Sequence, residues 1–335
     1  MKSNRNYLLK LVAALFVLAF SVSAFLTGIR LIERKLTQKE DDEILESVSI
    51  NEIYKDDYIT VDGVEYKPKK AVTSILLIGI DKSGEMKASN SFNNSEQCDF
   101  VSLLVLDENS KQFNIVQFNR DTMTKIPVIG VNDEGSGTLT GQLALAHTYG
   151  SGMSDSCRNV VKAVKNLIFD TNIDYYICAN MSAVSKANDI IGGVTVKVLE
   201  DIPSAPKLKK DTTVKLNGDD ALNYIRARQN TGDQTNLSRM KRQRQYMFAF
   251  VKKLNETIKK DQDIMLKLSA SLADFTLTDC SVSEINRLSS SFNEYTINDI
   301  IVPKGESKKG EKYSEFYIDD SSLKKTVISL FYEKA

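Results

Sequence analysis

The chain has 335 residues, 42% of them hydrophobic and 26% charged, which is the composition of a folded protein and excludes a disordered or fibrous one. Its 44 basic and 44 acidic side chains cancel, so neither bulk nucleic-acid affinity nor a solvating acidic character is supported, and any charge that matters is local. The single histidine, His147, excludes multi-histidine zinc centres and lies far from any serine in a nucleophile-elbow context.

Residues 1–10 carry Lys2, Arg5 and Lys10, and residues 11–29 are 19 consecutive uncharged positions, mostly Leu, Val, Ala and Phe. At 1.5 Å per residue that run just spans a hydrocarbon core of about 30 Å. The basic leading flank predicts a cytoplasmic N-terminus and an extracellular remainder, although Arg30, Arg34 and Lys35 reduce the asymmetry. Val22-Ser23-Ala24 would suit a signal peptidase, but the apolar run continues through Phe25 and Leu26, which favours an uncleaved anchor. Either way the rest is exported. Residues 30–57 read as an acidic stalk, with eight carboxylates between positions 36 and 58 against Lys39 and Lys55.

The domain is expected over 58–335. Asp62-Gly63 between two short β patterns predicts a type I′ hairpin. Strands are predicted at 74–80, 100–106 and 113–118, followed by helices at 141–149 and 157–168 and strands at 175–179 and 194–199. Asp219-Asp220 opens a helix through 225, and Ser238 is expected to cap a long helix to about residue 259. Helices at 264–275 and 282–292, a strand at 296–302, a polar loop at 303–312 and a helix at 320–332 complete an α/β fold with a mixed central sheet and covering helices. Of the four exported cysteines, Cys178 sits in an apolar run and reads as a small core residue, whereas Cys98 and Cys157, in polar contexts, are the candidate disulfide pair. The absence of any CxxC spacing predicts no thiolate metal site.

Asp81 ends one buried strand and Asp99 precedes another. Two carboxylates at adjacent strand ends make a hard oxygen site suited to Mg²⁺ with a phosphate, while either alone would read as a turn cap. Between 226 and 244, Arg226, Arg228, Arg239, Lys241, Arg242 and Arg244 face one acid, Asp233. Arg239 falls in the first turn of its helix, where a cation is unfavourable without an anion, and shares a face with Gln243. Lys241 and Arg244 fit a solvated face better. Arg120-Asp121-Thr122 adds another guanidinium.

Leu76-Leu-Ile-Gly-Ile-Asp81, Cys98-Asp99, Arg120-Asp121-Thr122, Ile191-Gly-Gly-Val194, Leu216-Asn-Gly218 with Ala221-Leu-Asn-Tyr-Ile-Arg-Ala-Arg228, and Arg239-Met-Lys-Arg-Gln243 occur in that order. Over roughly residues 72–255 the series resembles the LytR-CpsA-Psr family of Gram-positive cell-envelope proteins. The resemblance implies a membrane-anchored enzyme that transfers a glycopolymer, such as teichoic acid or capsule, from polyprenyl pyrophosphate to peptidoglycan. It assigns Mg²⁺, or Mn²⁺ in its place, to Asp81 and Asp99. It assigns the pyrophosphate to Arg120, Arg226, Arg228, Arg239, Gln243 and the position of Gln97, with Arg120 and Asp99 catalytic. The tail would need an apolar groove between sheet and helices.

Several positions depart from the family pattern: Gln97 replaces an arginine, Asn119 a proline and Asn236 an acid, and Gln142 and Ala144 fall where a Lys-Ile-Asn triplet is common. These favour, as alternative, a weak or inactive relative that binds polyprenyl-phosphate lipids or envelope polymers. A third class, a transcriptional regulator, conflicts with an anchor that exports the basic cluster and with the absence of a helix-turn-helix signature, so no nucleic-acid partner is expected.

Overall fold

The computed structural model describes residues 58–335 except 90–93, 130–134, 262, 282, 285–286, 289–294 and 312. The expected membrane span at 11–29 and stalk at 30–57 lie outside these residues, as does most of the helix expected at 282–292. Among the described residues no helix is long and apolar enough to cross a membrane.

Asp62 and Gly63 take φ of +52° and +76° and join β1 (Ile59–Val61) to β2 (Val64–Pro68), the I′ hairpin that the Asp-Gly pair predicts. The apolar runs then form β3 (Val72–Ile80), β4 (Cys98–Asp107) and β5 (Gln112–Phe118). A second hairpin follows, β6 (Met123–Ile129) with β7 (Gly135–Gln142), and then a 3₁₀ turn at Leu143–Thr148 and helix α1 (Ser154–Leu167). Strand β8 (Tyr175–Asn180) leads into α2 (Met181–Ile190), whose first turn is capped by Asn180. The pair β9 (Val194–Lys197) and β10 (Thr213–Leu216) precedes α3 (Gly218–Arg226), α4 (Asn236–Ile258) and α5 (Ile264–Leu272). Strands β11 (Thr276–Thr278), β12 (Thr296–Ile301), β13 (Gly305–Lys309) and β14 (Ser314–Ile318) lead to the last helix, α6 (Asp320–Phe331).

Six strands form the central sheet in the spatial order β11, β8, β3, β4, β5, β12. β3 runs parallel to β8, and β5 to β12, while the other neighbours are antiparallel, so the sheet is mixed as its composition predicts. Continuous apolar sequence in β3 reflects burial on both faces. Leu76 and Ile78 pack with Val160, Val164, Leu323 and Val327 beneath α1 and α6, whereas Ile75 and Leu77 pack on the other side with Leu104 and Met247 of α4.

Three expected elements differ. The helix predicted at 141–149 is only the 3₁₀ turn, because Gly135–Gln142 is strand paired with β6; its Gly- and Thr-rich sequence has no apolar alternation to announce a strand. The predicted polar loop at 303–312 contains β13, paired with β14 and exposed throughout, so no buried face marks it in the sequence. The cap of α4 is Thr235, whose hydroxyl accepts from Ser238 N at 3.2 Å; Ser238 donates its own hydroxyl to Glu200 instead.

The proposed disulfide is corrected too. All four cysteines are free and buried. Cys98 donates its thiol to Leu143 O at 3.2 Å, and Cys157 lies instead beside Cys178 and His147. Burial pushes the Cys157 thiol up, but the adjacent Cys178 and His147 outweigh it and lower it.

Candidate active site

Asp81 is the first residue after β3 and Asp99 the second of β4. Gly79 pairs with Phe100 and Ile80 with Cys98, so Asp99 is the extra, unpaired residue of a bulge in β4, which turns it away from the core while Cys98 is buried. A Cβ on Gly79 would lie 2.9 Å from Phe100 Cβ, so the close passage of β3 over β4 beside the site requires glycine.

Arg120, just past the end of β5, donates to Asp99 Oδ1 and to the amide oxygen of Gln97. Arg239, in the first turn of α4, donates to Asp99 Oδ2 at 3.1 Å. One carboxylate therefore bridges two guanidiniums, one of which, Arg239, is only 4% exposed. Burial lowers the Arg239 guanidinium while Asp99 supports its charge. Arg226 closes α3 and pairs with Asp81 at 2.8 Å in the open, both side chains near half exposure. The guanidinium of Arg228, half-buried two residues further, has no hydrogen-bond partner among the described residues, and its charge is felt at Asp121 and Arg239. Burial pushes the Asp121 carboxyl up, against the pull of Arg120, Arg228 and Arg239. Four guanidiniums thus meet three carboxylates. An excess of donors with one guanidinium unpartnered is an arrangement that can hold an anion.

The structure brings Asp81, Asp99, Gln97, Arg120, Arg226, Arg228 and Arg239 together. Gln243 stands at the edge of the same site, donating to Ile225 O at 3.4 Å. Lys241 is exposed, as expected. Arg244 is not solvated: it donates to Gln117 Oε1 at 2.8 Å, and burial lowers it. Arg242 is wholly buried, held by Glu200, Ser238 Oγ, Tyr224 O and Ala227 O, and pins α3 to α4.

Two of the sequence departures meet. Asn236 Nδ2 donates to Asn119 Oδ1 at 2.6 Å, Asn119 Oδ1 also accepts from Asp121 N at 3.0 Å, and Asn236 Oδ1 accepts from Arg239. This amide relay, which sequence reasoning missed, orients Arg239 and Asp121; only paired variation of positions 119 and 236 among relatives would have signalled it. Gln142 donates to Asp121 Oδ1 at 3.3 Å and to Ser314 O at 2.6 Å.

A groove enclosing about 980 Å³, its open mouth included, runs from this cluster between the sheet and helices α2, α4 and α5. Ile80, Met181, Val184, Tyr246, Phe250 and Leu272 line it; Asp99, Arg226, Arg239 and Gln243 stand at its polar end. This is the apolar groove that the sequence could not locate, since its walls come from segments up to 193 positions apart, Gly79 to Leu272.

The model of the LytR_cpsA_psr family matches residues 33–329. The chain belongs to this family. An uncharacterised protein of Staphylococcus aureus is 27% identical over 249 residues, which is 72% of this chain and 56% of that protein. TagU of Bacillus cereus, a polyisoprenyl-teichoic acid–peptidoglycan teichoic acid transferase, is 30% identical over 193 residues, 55% of this chain and 53% of TagU. The chain spans about half the length of the curated relatives it matches. Among solved structures, gbs0355 of Streptococcus agalactiae shares the fold with a TM-score of 0.63 at 22% identity, over 77% of this chain and 87% of that one. TagT of B. subtilis shares it with a TM-score of 0.56 at 22% identity, over 78% and 90%. Both likenesses show that the described domain shares their fold.

Proposed function

We propose that this protein is a membrane-anchored, extracellular phosphotransferase that moves a glycopolymer from a polyprenyl pyrophosphate carrier to peptidoglycan. The observation that carries the reading is the apolar groove with Arg226, Arg239 and Asp99 at its polar end, where Asp99 also holds Arg120, a shape matched to an apolar tail with a diphosphate head. TagU acts as a teichoic acid transferase, and a TagT structure contains bound LI-WTA, so the family relationship points to the same donor class. Residues 11–29 would hold the domain to the membrane where such a lipid resides.

A hard divalent cation, Mg²⁺ or Mn²⁺, fits Asp81 and Asp99. Both donors are carboxylates leaving neighbouring strands at the same end, and the second oxygen of Asp81 has no partner among the described residues. Such an ion would neutralise charge developing on the diphosphate oxygens. The chain's own part is positioning. Asp99 holds Arg120 and Arg239 ready before the substrate arrives, so little reorganisation accompanies charge development on the transferred phosphoryl group. Guanidinium forks bond diphosphate oxygens bidentately and remain charged, and the unpaired Arg228 is free to do so at once.

Arg228→Ala is expected to weaken binding of a polyprenyl pyrophosphate by about 10 to 100-fold, the worth of one charge-assisted contact, with unchanged thermal stability. Lys241→Ala, on the exposed face, should stay within about twofold. Equal losses at both positions, measured by calorimetry, would mean that the cluster acts as a diffuse field.

The reading itself is tested by incubating the protein with a polyprenyl pyrophosphate-linked glycan, peptidoglycan and Mg²⁺. Covalently attached glycan is the expected result. One observation favours the second reading, a lipid-binding relative: Gln97 offers Arg120 an acceptor where the family pattern has another cation. Tight lipid binding with no attachment, across several donors, would select it.

A further inference from the structure

On the sheet face opposite the groove, three potential metal ligands converge that lie apart in the sequence. His147 belongs to the 3₁₀ turn, Cys157 to α1 and Cys178 to β8, and each is 0% exposed. A ring nitrogen of His147 and the two sulfurs all lie within 4.8 Å of one another. Alternation along β8 turns Cys178 to this face and Ala179 to the groove, so the two sites share the sheet but no lining residue.

The histidine provides the second observation. Its Nδ1 lies 3.0 Å from the main-chain oxygen of Glu96, which can only accept, so Nδ1 carries the proton. Nε2 is left with a lone pair, and it is buried without a hydrogen-bond partner among the described residues. A buried unsatisfied nitrogen calls for an explanation, and an ion is one. Donation of the remote ring N–H to a backbone carbonyl is also how metal-ligating histidines are oriented.

We propose that His147, Cys157 and Cys178 form a binding site for one thiophilic d¹⁰ cation, Zn²⁺ or Cu⁺. Imidazole with two sulfurs is a soft donor set, unlike the carboxylates of the active site. Zn²⁺ with two thiolates and a neutral imidazole has no net charge, which suits an apolar core; Cu⁺ is satisfied by three ligands alone. Cys157 and Cys178 belong to the same buried apolar cluster as Tyr176, Val160 and Ala163, so the site lies in a dry core. The ion would tie α1 and the 3₁₀ turn to the sheet.

The full chain, purified anaerobically with all thiols reduced, is equilibrated with Zn²⁺ or Cu⁺ against a chromophoric chelator. One equivalent of one of the two ions should bind, and which ion wins separates the two arms. Cys157→Ala and Cys178→Ala should each weaken uptake by about 100-fold or more, the upper range for disturbing a metal site. Cys98→Ala and Cys280→Ala should leave it unchanged. X-ray absorption of the wild-type complex reads the ligands directly if an alanine variant fails to fold, with sulfur at about 2.3 Å expected for zinc. No uptake of either ion by the reduced chain, a shell of oxygen and nitrogen only, or equal losses in all four variants would overturn the proposal. So would a Cys157–Cys178 disulfide in the isolated protein that, once reduced, leaves the chain unable to hold either ion.

Discussion

Asp81→Asn is expected to remove Mg²⁺-dependent binding of a polyprenyl pyrophosphate while leaving the fold as stable as the wild type, whereas Asp99→Asn should lose both. The two carboxylates stand at adjacent strand ends but in different surroundings. Asp81 makes one pair with Arg226 in the open, and exposed pairs contribute about 0–1 kcal/mol. Asp99 bridges Arg120 and Arg239, whose side chains are 12% and 5% exposed. Converting it to an amide strands two guanidiniums with little water to solvate them, a change that costs about 3–5 kcal/mol and should lower Tm by roughly 5–15 °C. Lipid affinity without metal should hold or rise in both variants, because each removes a negative charge from a diphosphate site. What should vanish is the metal-dependent gain, which for the wild type is expected to be about tenfold or more, ~1.4 kcal/mol. Calorimetric titration with and without Mg²⁺, beside a thermal melt, reads both effects. A persistent Mg²⁺ gain in both variants would place the metal elsewhere.

Arg242→Ala should be the most destabilising single change in the basic cluster although it touches neither groove nor anion site. Its side chain, 1% exposed, meets Glu200, Ser238 Oγ and the carbonyls Tyr224 O and Ala227 O at the end of α3. Those carbonyls are among the unpaired acceptors that every helix end leaves, and Arg242 satisfies them from the neighbouring helix. Truncation leaves the Glu200 carboxylate with the Ser238 hydroxyl but without its cationic partner, and opens a cavity between α3 and α4, a loss of about 3–5 kcal/mol. Since α3 carries Arg226 at its last position and Arg228 just beyond, lipid affinity should fall along with stability. Arg242→Lys, which keeps the charge but not the fork, should recover only part of either. A melt of Arg242→Ala within about 2 °C of wild type would show that this contact does not hold the two helices.

Much of this protein was determined by the sequence alone. The apolar run of β3, the Asp62-Gly63 turn, the strand pair before Arg120 and the stripe of α4 follow from local periodicity and turn chemistry, which depend only on near neighbours. The ordered motifs also pointed to the family, and to residues that the fold brings together at one end of the sheet. Tertiary structure decided what depends on segments meeting across the fold. The edge hairpins β6–β7 and β13–β14 have no buried alternating face to reveal them. Six cations that look alike in sequence were sorted by burial and partner: Arg226 to Asp81, Arg239 to Asp99, Arg242 to a clamp, Arg244 to Gln117, Lys241 to solvent, and Arg228 with its guanidinium unpartnered among the described residues. Asn119 and Asn236 became one relay, and Cys157 found Cys178 and His147 instead of Cys98. In each case the deciding energy is desolvation at a particular place, and a side chain's place is fixed by the packing of elements far apart in the chain.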